Sequence, residues 1–294
     1  MDQAEQLRNV IKQKSREAPP EKARVVTVTS GKGGVGKSNV AVNMAVWLQK
    51  MGKRVIIFDA DLGLANVEVM LGAVPKYNLS DLIYRGKSIR EIITSGPMEI
   101  GFISGGLGIS GLNNLSKDQI LYLVHSLSEL NEMADVIIID TGAGISDSVL
   151  EFVMASPEVL LISTPEPSSL TDSYSLLKAL YRNPIFLRDK VRINIIANRV
   201  NSTEEGNAVF SKLESVVSQF LKGEIYFLGM IPQDREMENA VRSQKVVSIE
   251  KPNAPSSRAF KVLTNNYLNH EYEKMSVRGG IAQIIFNILS RISS

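Results

Sequence analysis

One stretch of this chain constrains its fold more than any other, Ser30-Gly31-Lys32-Gly33-Gly34-Val35-Gly36-Lys37-Ser38-Asn39. It follows a β-branched run, Arg24 to Thr29, and precedes an amphipathic segment, Val40 to Met51. A strand, a glycine-rich loop and a helix in this order are the setting that a phosphate-binding loop needs. The glycines let backbone N–H groups converge on phosphate oxygens, and the helix N-terminus adds about half a positive charge. The stretch therefore predicts a phosphate-binding site.

Side chains of this loop have separate expected roles. Lys37 would contact the β- and γ-phosphates, and the hydroxyl of Ser38 would bind Mg²⁺. The expected nucleotide-binding set is Gly31, Lys32, Gly33, Gly34, Val35, Gly36, Lys37, Ser38 and Asn39. Gly31, Gly33 and Gly36 also match the Gly-x-Gly-x-x-Gly fingerprint of dinucleotide-binding proteins, with Asp59 following about 20 residues later. A Lys-Ser pair after the last glycine is foreign to that fingerprint, so a nucleoside triphosphate is the favoured ligand.

Composition excludes several classes of protein. The chain has 294 residues, of which 44% are hydrophobic and 22% charged, which is typical of a globular protein. It contains no cysteine, which excludes disulfides and thiolate metal sites and is compatible with a reducing cytoplasm. A net charge of +2 gives no electrostatic case for nucleic-acid binding, and none is expected. No apolar run approaches the ~20 residues that span a bilayer, and the N-terminus lacks a signal-peptide pattern.

Apolar strands alternate with amphipathic helices from Arg24 onward. Near-continuous apolar runs such as Val136 to Ile139 indicate strands that are buried on both faces. We therefore predict an α/β fold, a doubly wound and mostly parallel sheet with helices on both faces. Two of the predicted helices run from Asn78 to Ile93 and from a capping box at Ser116 to about Met133. Residues 24–275 are predicted to form one domain, flanked by segments 1–23 and 276–294.

Polar side chains end three of the predicted strands. Asp59 and Asp61 end the second strand, Asp140 ends a central one, and Asn198-Arg199 ends a late one. Ligands of such sheets bind outside the carboxyl ends of the strands, so these groups are expected to meet at the phosphate loop. Asp140 fits a carboxylate that holds Mg²⁺. The alternative for Asp59 and Asp61 is that they cap a following helix.

The segment Lys-Gly-Gly-Val-Gly-Lys-Ser resembles the deviant phosphate loop of the MinD/ParA class of ATPases, and the resemblance covers roughly residues 24–275. It implies an Mg²⁺-dependent ATP hydrolase that binds ATP and ADP and forms a homodimer in its ATP state. Lys32 would reach across that dimer to the partner's nucleotide. The alternative for Lys32 is a solvated loop lysine.

The same resemblance assigns roles to the strand-end residues. It implies that Asp61 orients or deprotonates the attacking water, with Asn66 nearby, and that Asp59 and Asp140 serve the Mg²⁺ together with Ser38. Three further residues would contact the adenine, namely Asn198, Arg199 and Pro232. ATP is implied over GTP because the Asn-Lys-x-Asp guanine-binding motif is absent from the sequence.

The C-terminal segment, residues 276–294, has one apolar face at 100° per residue. That face holds Ile281, Ile284, Ile285, Ile288 and Leu289, with Phe286 at its margin. The segment is too short to span a bilayer and suited to lie in its interface, where nearby lysine and arginine residues attract anionic lipids. The alternative is a final core helix. Both states could hold in turn, docked without ATP and released to lipid in the dimer.

The N-terminal segment begins with Asp2-Gln3-Ala4-Glu5-Gln6-Leu7-Arg8. This heptad resembles the Asp-Gln-Ala-x-x-Leu-Arg element of the flagellar number regulators of the class, the FlhG, YlxH and FleN proteins. The resemblance implies that Gln3, Leu7 and Arg8 bind an FlhF-type GTPase and stimulate it. Basal-body switch proteins are further candidate partners. A cytoplasmic protein that associates reversibly with the membrane at flagellar assembly sites is expected.

Three other functions remain open at this stage. One is a DNA-partitioning ATPase of the ParA/Soj type, and another is a MinD-like regulator of the cell-division site. The third is an adaptor without enzymatic activity that uses nucleotide only as a structural ligand.

Overall fold

The computed structural model describes residues 23–61, 66–105 and 117–269, together with Ile281, Ile284 and Ile285. The strands are β1 (Arg24–Ser30), β2 (Val55–Ala60), β3 (Thr94–Ser95), β4 (Gly101–Ser104), β5 (Val136–Ala143), β6 (Glu158–Ser163), β7 (Arg192–Val200) and β8 (Tyr226–Pro232). The helices are α1 (Lys37–Lys50), α2 (Asn66–Leu71), α3 (Leu79–Arg85), α4 (Ile89–Ile92), α5 (Lys117–Ser128), α6 (Leu130–Met133), α7 (Asp147–Ala155), α8 (Pro167–Arg182), α9 (Thr203–Val216), α10 (Arg235–Arg242), α11 (Val247–Glu250) and α12 (Pro255–Asn269).

The described strands form one sheet in the order β3-β4-β2-β5-β1-β6-β7-β8. β3 is antiparallel to β4, and the other neighbouring strands of the described sheet are parallel. The chain winds from β1 outward to β2 and β4 on one side and to β6, β7 and β8 on the other. The predicted doubly wound sheet is confirmed, and the carboxyl end of β1 lies at its centre.

Helices cover both faces of the sheet, and successive residues of each strand point to opposite faces. Val26 and Val28 of β1 pack with α1 and α12, whereas Val25 packs in a second cluster with α3, α5 and residues of β2 and β5. The strands β2 and β6 are buried along their whole length. This double burial explains their continuous apolar sequences.

Two predicted helices are each divided in the structure. The segment from Asn78 to Ile93 forms α3 and α4, because Gly86 adopts a left-handed φ of 66° and ends α3. Asn78 caps α3, with Asp81 completing a capping box. The segment predicted to end near Met133 forms α5 and α6. Helices α2, α7 and α11 and the short strand β3 were not predicted from the sequence.

Candidate functional site

The phosphate-binding loop has the backbone that its glycines permit. Gly34 and Gly36 adopt φ values of 76° and 100°, which glycine reaches without the strain that a Cβ causes. Gly31 packs so closely on α8 that a Cβ would lie 2.1 Å from the carbonyl carbon of Asp172. Helix α1 starts at Lys37 with no side-chain cap and no acidic residue in its first turn. Its first N–H groups and its dipole are therefore available to an anion.

Two aspartates face each other at the carboxyl ends of β2 and β5. Asp59 lies opposite Asp140 in the parallel register. Asp140 is 0% exposed, and neither of its carboxylate oxygens accepts a hydrogen bond of ordinary geometry from the described residues. Burial raises the pKa of Asp140 to about 7, although Ser38 and Lys37 lie near enough to oppose the shift. Burial, and next the charge of Asp140, raise the pKa of Asp59 to about 7.

The chemistry of this pair fits a small divalent cation. Mg²⁺ is usually held by one or two carboxylates together with phosphate oxygens rather than by a full protein cage. Among the described residues no three acidic or histidine side chains converge into such a cage. Ser38, Asp59 and Asp140 are thus residues that could hold Mg²⁺ with a bound nucleotide, as the sequence predicts. A fully buried carboxylate is costly to ionise unless a cation lies beside it, so Asp140 is suited to hold one.

These pKa shifts predict a pH-dependent stability for the protein without Mg²⁺ and nucleotide. In the unfolded chain these carboxyl groups ionise near their ordinary pKa of about 3.9. In the folded chain they ionise near pH 7, so the folded state binds more protons between these values. The free energy of unfolding then falls as the pH rises from about 4 to about 7, and it levels off above that. Thermal denaturation with EDTA at several pH values should show a melting temperature that decreases over this window.

A matched variant isolates the source of this effect. Asp140→Asn removes the most buried carboxylate and should flatten the pH dependence. A wild-type melting temperature that rises from about pH 5 to pH 8, or an unchanged slope in Asp140→Asn, would contradict the assignment.

Asp61 lies beside the same loop. Asn66 donates a hydrogen bond of 3.2 Å from Nδ2 to Oδ2 of Asp61. A Cβ on Gly142, near the carboxyl end of β5, would lie 3.5 Å from Oδ1 of Asp61. Burial lowers the pKa of Lys37, and the charges of Asp140 and Asp61 oppose this shift. The structure thus brings Lys37, Asp61 and Asp140 together, as the sequence predicts.

Lys32 is held within its own chain. Its Nζ lies 2.9 Å from Oε2 of Glu166 and donates a hydrogen bond of 2.7 Å to Oγ of Ser168. The lysine and the glutamate are both exposed. Sequence reasoning did not find Glu166 and Ser168. The signal was present, because both follow directly after the carboxyl end of β6, where ligand-binding residues gather.

A cavity of about 750 Å³ opens beside the loop at the carboxyl ends of β6, β7 and β8. The three residues predicted to contact the base line it together with Gly36 and Asn39, and they are Asn198, Arg199 and Pro232. Nδ2 of Asn198 donates a hydrogen bond of 2.7 Å to the carbonyl of Val35, and Oδ1 accepts one from the N–H of Arg199. Asn198 therefore also joins this wall to the phosphate loop.

Thr164 is a cavity residue that sequence reasoning missed. It is 1% exposed, it lines the cavity, and its hydroxyl has no hydrogen-bond partner among the described residues. Thr29 on β1 also has a buried hydroxyl without such a partner, but Thr29 does not line the cavity. Since Thr164 lines the cavity, a ligand bound there could supply the missing hydrogen bond.

Thr164 lines the cavity and Thr29 does not, so substitutions at these two residues form a matched pair of variants. Thr164→Val should weaken ADP binding about 3- to 10-fold, the value of one ordinary hydrogen bond, while Thr29→Val should leave it unchanged. Isothermal titration calorimetry measures both. Equal affinities in the two variants would exclude a contact between the nucleotide and Thr164.

The predicted terminal contacts are only partly described. Ile281, Ile284 and Ile285 are buried in the cluster on the α3 and α5 side of the sheet. Phe286, Ile288 and Leu289 lie outside the described residues, as do Gln3, Leu7 and Arg8. No helix in the described part of the chain is long and apolar enough to cross a bilayer.

Comparison with known proteins decides the family. Residues 26–247 match the model of the CobQ/CobB/MinD/ParA nucleotide binding domain. The chain belongs to the MinD/ParA family. This family consists of nucleotide-binding ATPases, and the parallel sheet around the loop after β1 is its fold.

Relatives and solved structures agree with this family. The chain is 40% identical to the antiactivator FleN of Pseudomonas aeruginosa over 82% of this chain and 84% of FleN. It is 33% identical to the flagellum site-determining protein YlxH of Helicobacter pylori over 78% and 76% of the two chains. The septum site-determining protein MinD of Pyrococcus horikoshii, solved with Mg-ADP, shares the fold with a TM-score of 0.64 at 22% identity, covering 88% of this chain and 98% of that one.

Proposed function

We propose that this protein is an Mg²⁺-dependent ATP hydrolase that dimerises with ATP, binds the membrane and regulates flagellar number or placement. The proposal of ATP hydrolysis rests on one observation: Lys37, Asp61 and Asp140 lie close together at the phosphate loop. The likeness to FleN and YlxH supports the flagellar role. The Mg-ADP in the MinD of P. horikoshii supports the proposed ligands.

The proposed reaction is phosphoryl transfer from ATP to water. Ser38 and Asp140, with Asp59 beside them, would hold Mg²⁺, whose charge would neutralise that of the phosphates. Lys37 and the N–H groups of the loop stabilise the negative charge of the transition state. Asp61, oriented by the amide of Asn66, accepts a hydrogen bond from the attacking water and directs it at the terminal phosphate.

Lys32 is proposed to act on the nucleotide of a second copy of the chain. The pair with Glu166 keeps it at the rim of its own site, within reach of solvent. Exposed ion pairs contribute at most about 1 kcal/mol, so this pair is easily exchanged for phosphate oxygens. Hydrolysis would then require the dimer, and the lifetime of the dimer would be set by ATP.

Membrane binding is proposed through the segment 276–294. In the described state, Ile281, Ile284 and Ile285 contribute to the core, so the same apolar face cannot contact lipid at that time. We propose that the ATP dimer releases this face. Two linked helices gain avidity that a single weak amphipathic helix lacks.

Deleting residues 276–294 is expected to abolish ATP-dependent sedimentation with anionic liposomes. A second variant, Ile288→Glu, changes the proposed lipid face while keeping the three docked isoleucines. It should sediment less than the wild type yet bind ATP normally, because a charge opposes burial in the bilayer. Unchanged sedimentation of both proteins would reject the membrane role.

The N-terminal segment, residues 1–23, is proposed to bind and stimulate an FlhF-type GTPase through Gln3, Leu7 and Arg8. Its support is the heptad Asp2 to Arg8 and the 40% identity with FleN across the neighbouring domain. A short polar segment with one apolar edge suits a partner site that orders on binding.

A further inference from the structure

A chain of hydrogen bonds, most of whose side chains are buried, joins the two walls of the nucleotide cavity. We name it the junction network, and its side chains are Asn43 on α1, Ser248 on α11, Ser256 and Ser257 on α12, and Asp234 before α10. It starts at Asn39 on the cavity wall and ends at Asp234 on the opposite wall, and both of these residues line the cavity.

The first half of the network links α1 to α11. Nδ2 of Asn43 donates a hydrogen bond of 2.8 Å to the carbonyl of Asn39. Oδ1 of the same amide accepts one of 3.0 Å from the N–H of Ser248. The hydroxyl of Ser257 then donates to the hydroxyl of Ser248 at 3.3 Å, which reaches α12.

The second half links α12 to the wall Ile231–Asp234. The N–H and the hydroxyl of Ser256 both donate to Oδ2 of Asp234, at 2.9 and 2.6 Å. Oδ1 of Asp234 accepts the N–H of Glu236, at 3.0 Å, and so caps α10. Both carboxylate oxygens of Asp234 are thus engaged by the protein itself.

Burial makes this arrangement informative. Asn43, Ser248, Ser256 and Ser257 are all 0% exposed. Burying polar side chains is costly unless every one is bonded, and a fully bonded network fixes one geometry. The geometry fixed here is the separation between the first turn of α1 and the wall Ile231–Asp234.

Helix α12 is itself anchored at its other end. The guanidinium of Arg24 lies 3.8 Å from the ring centroid of Tyr267, near the end of α12. Arg24 in turn forms an ion pair with the buried Glu158 of β6. The wall is therefore tied to a helix that is held against the sheet, rather than to a free loop.

We propose that Asp234 and Ser256 are positioning residues that hold the wall Ile231–Asp234 at the distance from α1 that fits the base of the nucleotide. This inference rests on the proposed nucleotide site. It assigns these residues to recognition of the nucleoside half of the ligand, since the hydrogen bonds described for Asp234 and Ser256 do not reach the phosphate loop. Removing the hydrogen bonds between Asp234 and Ser256 should weaken the binding of a ligand that contains a base. It should have little effect on the binding of a ligand that has only phosphates.

The test compares ADP with pyrophosphate by isothermal titration calorimetry on the full chain with Mg²⁺. Ser256→Ala and Asp234→Asn should each weaken ADP binding about 5- to 10-fold, the value of about one hydrogen bond, and change pyrophosphate binding less than about 2-fold. Thr264→Ala is the matched control. It lies on the same helix with 0% exposure, and among the described residues its hydroxyl donates only to the carbonyl of Phe260, at 2.8 Å.

The outcomes separate the inference from the proposed function. Equal weakening of ADP and pyrophosphate, unchanged ADP binding in both variants, or a loss in Thr264→Ala as large as in Ser256→Ala would overturn the positioning role. A wild-type protein that binds neither ADP nor pyrophosphate would instead reject the proposed nucleotide site. Melting temperatures of the variants identify any loss that comes from unfolding.

Discussion

Replacing Asp61 with alanine is expected to lower the rate of ATP hydrolysis by about 100-fold or more, because a positioned acid–base group contributes about 10²- to 10⁴-fold. ATP binding should persist, since Asp61 contributes no direct bond to the phosphate loop in the described structure. The bound ATP would then remain intact, and the ATP dimer should accumulate. Phosphate release under multiple turnover and nucleotide content after gel filtration measure the two effects.

The neighbouring residues provide controls for this variant. Asn66→Ala removes the hydrogen bond to Asp61 while leaving the carboxylate in place, so a smaller loss of rate is expected. Asp189→Ala removes an exposed aspartate just before the amino end of β7, at the opposite edge of the sheet from the phosphate loop, and should hydrolyse ATP normally. Normal turnover in Asp61→Ala would remove Asp61 from the catalytic role.

Lys32→Ala should bind ATP but fail to form an ATP-dependent dimer. The physical reason is that the lysine of each copy would supply a positive charge to the phosphates of the other, and cations at a transferring phosphoryl group are worth about 10³- to 10⁵-fold in rate. Hydrolysis should fall in parallel. Analytical ultracentrifugation with ATP, together with a hydrolysis assay, measures both consequences.

A substitution at Glu166, which forms an ion pair with Lys32, is expected to have the opposite effect on dimerisation. Glu166→Gln removes the carboxylate that holds Lys32 in its own chain and leaves the lysine in place. Dimerisation with ATP should therefore be retained or become tighter, by no more than the ~1 kcal/mol of an exposed pair. An ATP-dependent dimer in Lys32→Ala would contradict action across the interface.

Much of the candidate site was predictable because local sequence determines where strands end. The apolar runs before Asp59 and Asp140 predict buried parallel strands, and the carboxyl ends of such strands meet at one edge of the sheet. The role of the loop glycines follows from local backbone geometry alone. The sequence therefore brings these residues to one edge of the sheet without knowledge of long-range contacts.

What the sequence could not predict depends on packing between distant segments. The pairing of Lys32 with Glu166 and the orphan hydroxyl of Thr164 arise only when α8 and β6 pack beside the phosphate loop. The division of the segment from Asn78 to Ile93 follows from the left-handed conformation of Gly86, which ends α3.

The C-terminal face illustrates a limit of a different kind. An apolar stripe that includes Ile281, Ile284 and Ile285 has the same pattern whether it packs on a core or on lipid. The structure shows the docked state of these three residues. The lipid-bound state remains a proposal, and periodicity alone does not distinguish the two.

The central claim is that ATP converts this chain into a dimer that binds membrane. The most direct measurement is the mass of the Asp61→Ala protein by light scattering with ATP or ADP, followed by liposome flotation of the same samples. We predict a dimer that floats with anionic liposomes in ATP and a monomer that does not float in ADP. The same mass and the same flotation with both nucleotides would contradict the account.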